Sequence, residues 1–431
     1  MNRKKSVETL LSFIEGSPSP FHTVVQSKDL LQKAGFTELF ATQPWKIKAG
    51  GNYYIDIYGS SLLAFRIGAN PQQGGLRLAA AHTDFPCFRV KTSAGIVKEG
   101  YGTLNVESYG GMILSTWLDR PLSLAGKVVL RSEELFAPEV RFIDMKRPLL
   151  TIPNLAIHMN RKINEGIALN RQKDMLPLAM MLEKEEKDKD FFDRFLAKEL
   201  GCKQKDILSY ELTVYPTEKG SLFGFAEEFI SSPRLDNLTS VKACLCGIID
   251  GSRKNGISGI ALFDNEEVGS RTKQGAGSLV LTQTLQRIYE CIGLKQEDYY
   301  SDVAGGYMLS VDVAHALHPN VPTKTDPTNK PVLNGGVVLK LAANQSYAGD
   351  AEAVAIAAEL CQRNNIPCQR FVNRSDMVGG STLGSIASTL LPIRTMDIGV
   401  PILAMHSARE TMGVKDQQSL EDMMKAFFSE K

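Results

Sequence analysis

The chain has 431 residues, 43% hydrophobic and 23% charged, with 49 basic against 48 acidic side chains and a formal net charge of +1. That length holds two or three domains, the composition is ordinary for a globular protein, and the near-zero charge argues against nucleic acid or a strongly anionic surface as partner. No apolar run approaches the roughly 18 residues of a membrane span. The seven cysteines are odd in number and scattered. Cys244 and Cys246 fall on one predicted helix and point in different directions. Neither a disulfide framework nor a zinc ribbon fits, so reduced thiols and a cytoplasmic setting are expected.

In chain order, residues 7–14 mix Glu, Thr and Ser among apolar side chains and predict an amphipathic helix rather than a signal peptide core. Residues 61–67 and 76–81 predict strands, and the second, small and apolar, runs into His82-Thr83-Asp84. A long stretch follows without comparable ligand candidates. It holds strand-like pieces at 127–131 and 210–214 and a charged helix within 177–200, whose run 183–190 mixes signs as a solvated face does. This content predicts an inserted β-rich domain, residues 93–232, between two segments of a ligand-bearing domain, 1–92 and 233–431.

Beyond it, Arg234-Leu235-Asp236-Asn237 precedes a predicted helix over 237–249. Residues 257–263 predict a buried strand that ends in Asp264-Asn265-Glu266-Glu267-Val268-Gly269. A helix is expected over 278–291. The apolar residues 308–311 run into Asp312-Val313-Ala314-His315, helices follow at 350–363 and 382–390, a strand at 395–398, and the apolar run 398–405 ends at His406-Ser407. The alternation predicts a three-layer α/β/α sandwich on a mostly parallel core sheet.

Adjacent glutamates at the end of a buried strand repel each other and lose hydration. A cation, most simply a metal, relieves both costs. One Glu can then bind the metal while the other faces the attacking water as general base. In α/β sheets, sites are built at the carboxyl ends of strands, so His82, Asp236, Glu267, Asp312 and His406 could converge on one point. Two imidazoles and three carboxylates suit zinc, cobalt or manganese. They carry too much imidazole for calcium and no thiolate for a closed structural zinc site. Each position alone has a plainer reading: a hydrogen-bonded structural His, an N-cap or a turn former. The five together, with a further carboxylate beside one of them, favour a metal site.

Several longer motifs stand in order along nearly the whole chain: Ser17-Pro18-Ser19-Pro20-Phe21-His22, Ala81-His82-Thr83-Asp84, Trp117-Leu118-Asp119-Arg120-Pro121-Leu122 and Ile152-Pro153-Asn154-Leu155-Ala156-Ile157-His158. Then come Pro233-Arg234-Leu235-Asp236-Asn237, Asp264-Asn265-Glu266-Glu267-Val268-Gly269-Ser270, Asp312-Val313-Ala314-His315-Ala316-Leu317-His318-Pro319-Asn320 and Met405-His406-Ser407-Ala408-Arg409-Glu410. With these motifs the chain resembles the aspartyl aminopeptidase (M18) family of metallopeptidases, its bacterial members in particular.

The resemblance implies two divalent ions per subunit, zinc first, with cobalt or manganese as alternatives. Asp236 would bridge them, His82 and Asp312 would complete one shell, and Glu267 and His406 the other. Glu266 would be the general base, and Asp84 would orient His82 through its second ring nitrogen. His158 would enter a neighbouring subunit's site and steady the oxyanion; without the resemblance it reads as structural. Lys340, within Gly335-Gly336-Val337-Val338-Leu339-Lys340, would meet an acidic substrate side chain; alone it reads as a surface Lys on a strand edge. The loop from Asp376 to Thr382, Gly380 included, would feed backbone amides into the site. The inserted domain would make dimer contacts and cover the site, within a homo-oligomer, a tetrahedral dodecamer. Residues 341–347 are less basic than in eukaryotic members, and Gly379 stands where Cys is common. Three activities therefore stay open: removal of acidic N-terminal residues, broader aminopeptidase or deacylase activity, and a non-catalytic assembly homologue.

Overall fold

The computed structural model describes residues 3–182 and 189–430. The chain divides into two compact units, one of residues 1–85, 220–405 and 410–431, the other of residues 86–219 and 406–409.

In the first unit, nine strands among the described residues form one sheet. Their order is Thr37–Leu39, Asn52–Ile57, Ser61–Ile67, Ile257–Phe263, Leu76–His82, Tyr307–Val311, Arg394–Gly399, Val337–Leu341 and Cys368–Val372. Ile257–Phe263, Leu76–His82, Tyr307–Val311 and Arg394–Gly399 run parallel, as the strand–helix alternation predicts. The sheet turns antiparallel on both sides of them. Ser61–Ile67 opposes both its neighbours, and Val337–Leu341 opposes Arg394–Gly399. The reason at Ser61 is the connection Tyr58-Gly59-Ser60, with Tyr58 and Gly59 at positive φ: so short a link can join only antiparallel strands.

Side chains alternate between the faces of this sheet. On Leu76–His82, Ala79 and Ala81 join one core, while Leu76, Leu78 and Ala80 join the other. The first core is roofed by Arg3–Glu15, Pro20–Lys33, Leu235–Asp250, Ala351–Arg363 and Val414–Phe427. The second is roofed by Val280–Cys291, Gln296–Gly305 and Leu383–Leu390. These are the three layers. Arg3–Glu15 buries Val7, Leu10 and Ile14 at helical spacing, and Asp350 caps Ala351–Arg363 by accepting the Ala353 N–H at 2.7 Å. The apolar run over 398–405 divides between two sheets. Arg394–Gly399 stays in the large one, while Pro401–Leu403 joins a five-stranded sheet with Ala314–His315 and Glu410–Gly413.

Among the described residues, the second unit holds an antiparallel sheet of six strands, ordered Glu139–Asp144, Leu122–Leu130, Ile207–Pro216, Cys87–Lys98, Tyr101–Tyr109 and Leu178–Met181. Within 177–200 the helix is confined to Phe191–Leu200, where Phe192 meets the Tyr210 ring edge-on at 5.7 Å. Leu178–Met181 is a strand instead, because it pairs with Tyr101–Tyr109. Most of the charged run 183–190, residues 183–188, lies outside the described residues. No helix among the described residues is long and apolar enough to cross a membrane.

A candidate metal centre at the strand ends

Leu76–His82, Tyr307–Val311 and Ile257–Phe263 end side by side, so His82, Asp312 and the Asp264–Gly269 turn meet at one edge of the sheet. The turn is compact. Asn265 sits at φ 64°, a left-handed conformation that Asn tolerates, and Gly269, at φ 96°, donates its N–H to the Glu266 carbonyl at 2.8 Å. Asp236 comes from the first turn of Leu235–Asp250. Its backbone is not yet helical (φ −80°, ψ 106°), and this turns the carboxylate out of the helix line. The Asn237 amide donates to the Val311 carbonyl at 2.9 Å and ties this turn to the strand that ends before Asp312.

His82 Nε2 lies 3.3 Å from Asp236 Oδ1 and 3.5 Å from Asp312 Oδ1. Donor atoms of His82, Asp236 and Asp312 lie within 4.8 Å of one another, as do those of His82, Glu266 and Glu267. The other ring nitrogen, Nδ1, faces Asp84: its carbonyl at 3.0 Å and its Oδ1 at 3.4 Å. The Asp84 carboxylate in turn accepts the N–H groups of Glu266 and Glu267, each at 3.1 Å. One buried carboxylate thereby seats both His82 and the glutamate pair.

Burial disfavours a charged His82, yet the carboxylates of Asp236, Asp312 and Asp84 outweigh it and lift its pKa well above the ordinary value. Burial, reinforced by Asp312, Asp84 and Asp236 against the opposing pull of His82, pushes the Glu266 carboxyl up to about 8. A site that draws protons this strongly is short of positive charge. The donor set fits a divalent ion: a neutral imidazole nitrogen and carboxylate oxygens converge, and a partner on the second ring nitrogen fixes the tautomer. His82, Asp236, Asp312 and Glu267 are the residues of this unit that would hold it.

The sequence profile described as aminopeptidase I zinc metalloprotease (M18) matches residues 13–428. A protein of Clostridium novyi named "Probable M18 family aminopeptidase 2" is 44% identical over 430 residues, covering 99% of each chain. The chain belongs to the M18 family of zinc aminopeptidases. It is a metal-dependent aminopeptidase. A Clostridium acetobutylicum protein with the same name is 41% identical over 430 residues, again 99% of each chain. A chain from a solved structure titled "Cryo-EM structure of the Ape4 and Nbr1 complex" superposes with a TM-score of 0.94 at 33% identity, covering 99% of this chain and 86% of that one. The M18 aminopeptidase from Thermotoga maritima, at 23% identity and a TM-score of 0.87, covers 100% of this chain and 97% of its own and shares the fold.

The remaining expected residues of this aminopeptidase are placed as follows. His406, at φ 65°, belongs to the second unit, where its Nδ1 meets the Gly111 carbonyl at 2.8 Å. His158 is exposed on the turn Ile157–Met159 of the same unit. That turn follows Asn154, which Asp119 grips twice, by its N–H at 2.8 Å and its side-chain amide at 2.7 Å; two sequence motifs are thus tied together. Gly380 is exposed in the loop before Leu383–Leu390. Lys340 is not the surface side chain that its residue type suggests: it is 1% exposed, because its strand is covered on both faces. Two supporting groups had no role assigned from sequence. Glu410, 2% exposed, accepts the Asp236 N–H at 3.0 Å. Gly399 approaches Asp312 so closely that an added Cβ would lie 1.4 Å from the Asp312 carbonyl oxygen. Gly399→Ala should therefore displace Asp312 and destabilise the fold by roughly 1–3 kcal/mol or more. Thermal melting and zinc titration of the variant check this, with both expected to fall together.

Proposed function

We propose that this aminopeptidase holds two divalent ions per chain, zinc first, with cobalt or manganese as alternatives. Asp236 would serve both, His82 and Asp312 would complete the ligands of one, and Glu267 and His406 those of the other. The assignment of His406 rests on its sequence motif. The observation that carries the reading is the packing of His82, Asp236 and Asp312 beside the Glu266–Glu267 pair. When bound, such ions supply a Lewis acid for the scissile carbonyl and lower the pKa of water to about 7. Glu266 takes the proton of the attacking water and passes it to the leaving amine. A carboxylate beside the metal-binding set is suited to both steps. The acidic cluster attracts the substrate's free α-ammonium group, which restricts cleavage to the N-terminal residue. His158, entering from a neighbouring copy, steadies the oxyanion, and amides of the loop around Gly380 orient the substrate.

The sequence match supports a preference for Asp or Glu at the N-terminus, with Lys340 opposite the acidic side chain. A second reading, release of several kinds of N-terminal residue, is favoured by the enclosure of Lys340. The assembly we infer is a tetrahedral dodecamer of dimers, with residues 93–232 forming the dimer contacts and a lid. A solved relative at 26% identity is titled "Structure of S. cerevesiae mApe1 dodecamer". The free cysteines of the described residues support a reducing, cytoplasmic setting.

Peptides beginning with Asp, Glu, Leu and Lys, given to the zinc-loaded protein, test this reading. Release of the first residue alone supports it, and the ranking decides between acidic and broad specificity. Absence of turnover with zinc, cobalt and manganese contradicts it and favours a non-catalytic assembly role.

A further inference from the structure

Two cysteines meet where the helix Ala351–Arg363 ends and the edge strand Cys368–Val372 begins. Cys361, in the last turn of the helix, is fully buried, with its Sγ 3.7 Å from Met423 Sδ. Cys368 opens the strand and, among the described residues, is the one exposed cysteine. Backbone bonds fix both positions. The Ile366 N–H donates to the Cys361 carbonyl at 2.9 Å, and the Val337 N–H donates to the Pro367 carbonyl at 3.0 Å. The link between them is folded tightly enough for the two thiols to hydrogen-bond to each other.

The pair divides its protons unequally. The hydrogen bond from Cys361, with Arg370 adding to it, outweighs burial and holds Cys368 down to about 6, so at neutral pH its sulfur is a thiolate open to solvent. Arg370 lies two residues on and shares a strand face with it. The same hydrogen bond, together with burial, pushes the Cys361 thiol up. Other cysteines contrast with Cys368: burial pushes Cys246 up to about 11 and raises Cys244 and Cys291 as well. An accessible thiolate is the sulfur that oxidants attack first, and a neighbouring thiol is what resolves the product.

We propose that Cys368 and Cys361 form a hydroperoxide-sensitive pair that closes reversibly into a disulfide. The Cys368 sulfur attacks one oxygen of the hydroperoxide. The S–O bond forms, the O–O bond breaks, and the other oxygen takes a proton from solvent and leaves as alcohol or water. The Cys361 sulfur then attacks the sulfenic sulfur of Cys368. The S–S bond forms, the S–O bond breaks, and the hydroxyl leaves as water with the Cys361 proton. Overall the two cysteines lose two electrons and the hydroperoxide gains them. Closure ties the end of Ala351–Arg363 to Cys368–Val372, which pairs with Val337–Leu341, and it stops Cys368 short of irreversible sulfinic acid. Small-molecule or protein thiols reopen the bond by exchange.

Hydrogen peroxide, added to the full chain, tests this. Free thiols are counted after denaturation, and tryptic peptides are mapped with and without a thiol reductant. Trypsin cuts after Arg363, so the two cysteines fall on separate peptides. Expected are the loss of two of the seven thiols, one crosslink joining residues 361 and 368, and recovery of both thiols on reduction. Cys361→Ser should leave Cys368 as a sulfenic acid that dimedone traps. Cys368→Ser should keep every remaining thiol at the same peroxide dose. Retention of all seven thiols in the wild-type protein, a crosslink joining other cysteines or two copies of the chain, or equal thiol loss in Cys368→Ser overturns the proposal. If Cys361→Ser does not fold, the crosslink map of the wild-type protein decides.

Discussion

Glu266→Gln should lower kcat by about 10²–10⁴-fold while leaving zinc binding intact. The substitution is isosteric. The contact that seats residue 266 is its backbone N–H on Asp84, which a side-chain change does not touch. The amide cannot accept the water's proton, so the loss falls on the chemical step rather than on KM. Measured zinc content separates this outcome from a collapsed site. Glu267→Gln, one residue on, should instead weaken the metal. If both variants lost metal equally, the division of labour between the two glutamates would be wrong.

Asp236→Asn should abolish zinc binding and turnover together. Asp236 Oδ1 lies 3.3 Å from His82 Nε2, and the carboxylate is 3% exposed. Its backbone is held by Glu410 independently of its own side chain, so the change removes a donor without moving the helix. Loss of a supporting residue typically costs about 10–100-fold in metal affinity, and loss of a ligand proposed to serve both ions should exceed that. The metal-free variant should melt no lower than metal-free wild type, because one of several crowded like charges has gone. Isothermal zinc titration and a melting curve without metal check both parts. A variant that is merely unfolded would fail the second.

The parallel centre of the sheet could be read from the sequence because each strand is a short apolar run bounded by a turn, with helical periodicity between runs. The candidate site could be read for a related reason: His82, Asp312 and the Glu266–Glu267 pair follow such runs directly. What eluded the sequence is what folding brings from afar. The Asp84 carboxylate meets the N–H of Glu266 across 182 positions, and Glu410 meets Asp236 across 174. No local pattern encodes either pairing. The antiparallel setting of Ser61–Ile67 was written in the brevity of the Tyr58–Ser60 connection. Lys340 misleads for a physical reason: a charged residue in an apolar strand suggests an outward face, but a strand covered on both faces has none. His158 carries no local signal at all; on an exposed turn, its proposed role would have to come through a neighbouring chain.

The most direct test of this account is zinc titration into chelator-stripped protein, with release of the N-terminal residue followed on a free peptide and on its N-acetylated form. The account predicts no turnover without metal, a rise to a plateau at about two equivalents of zinc, and cleavage of the free peptide only. Turnover that survives chelation, or equal cleavage of the acetylated peptide, would contradict it.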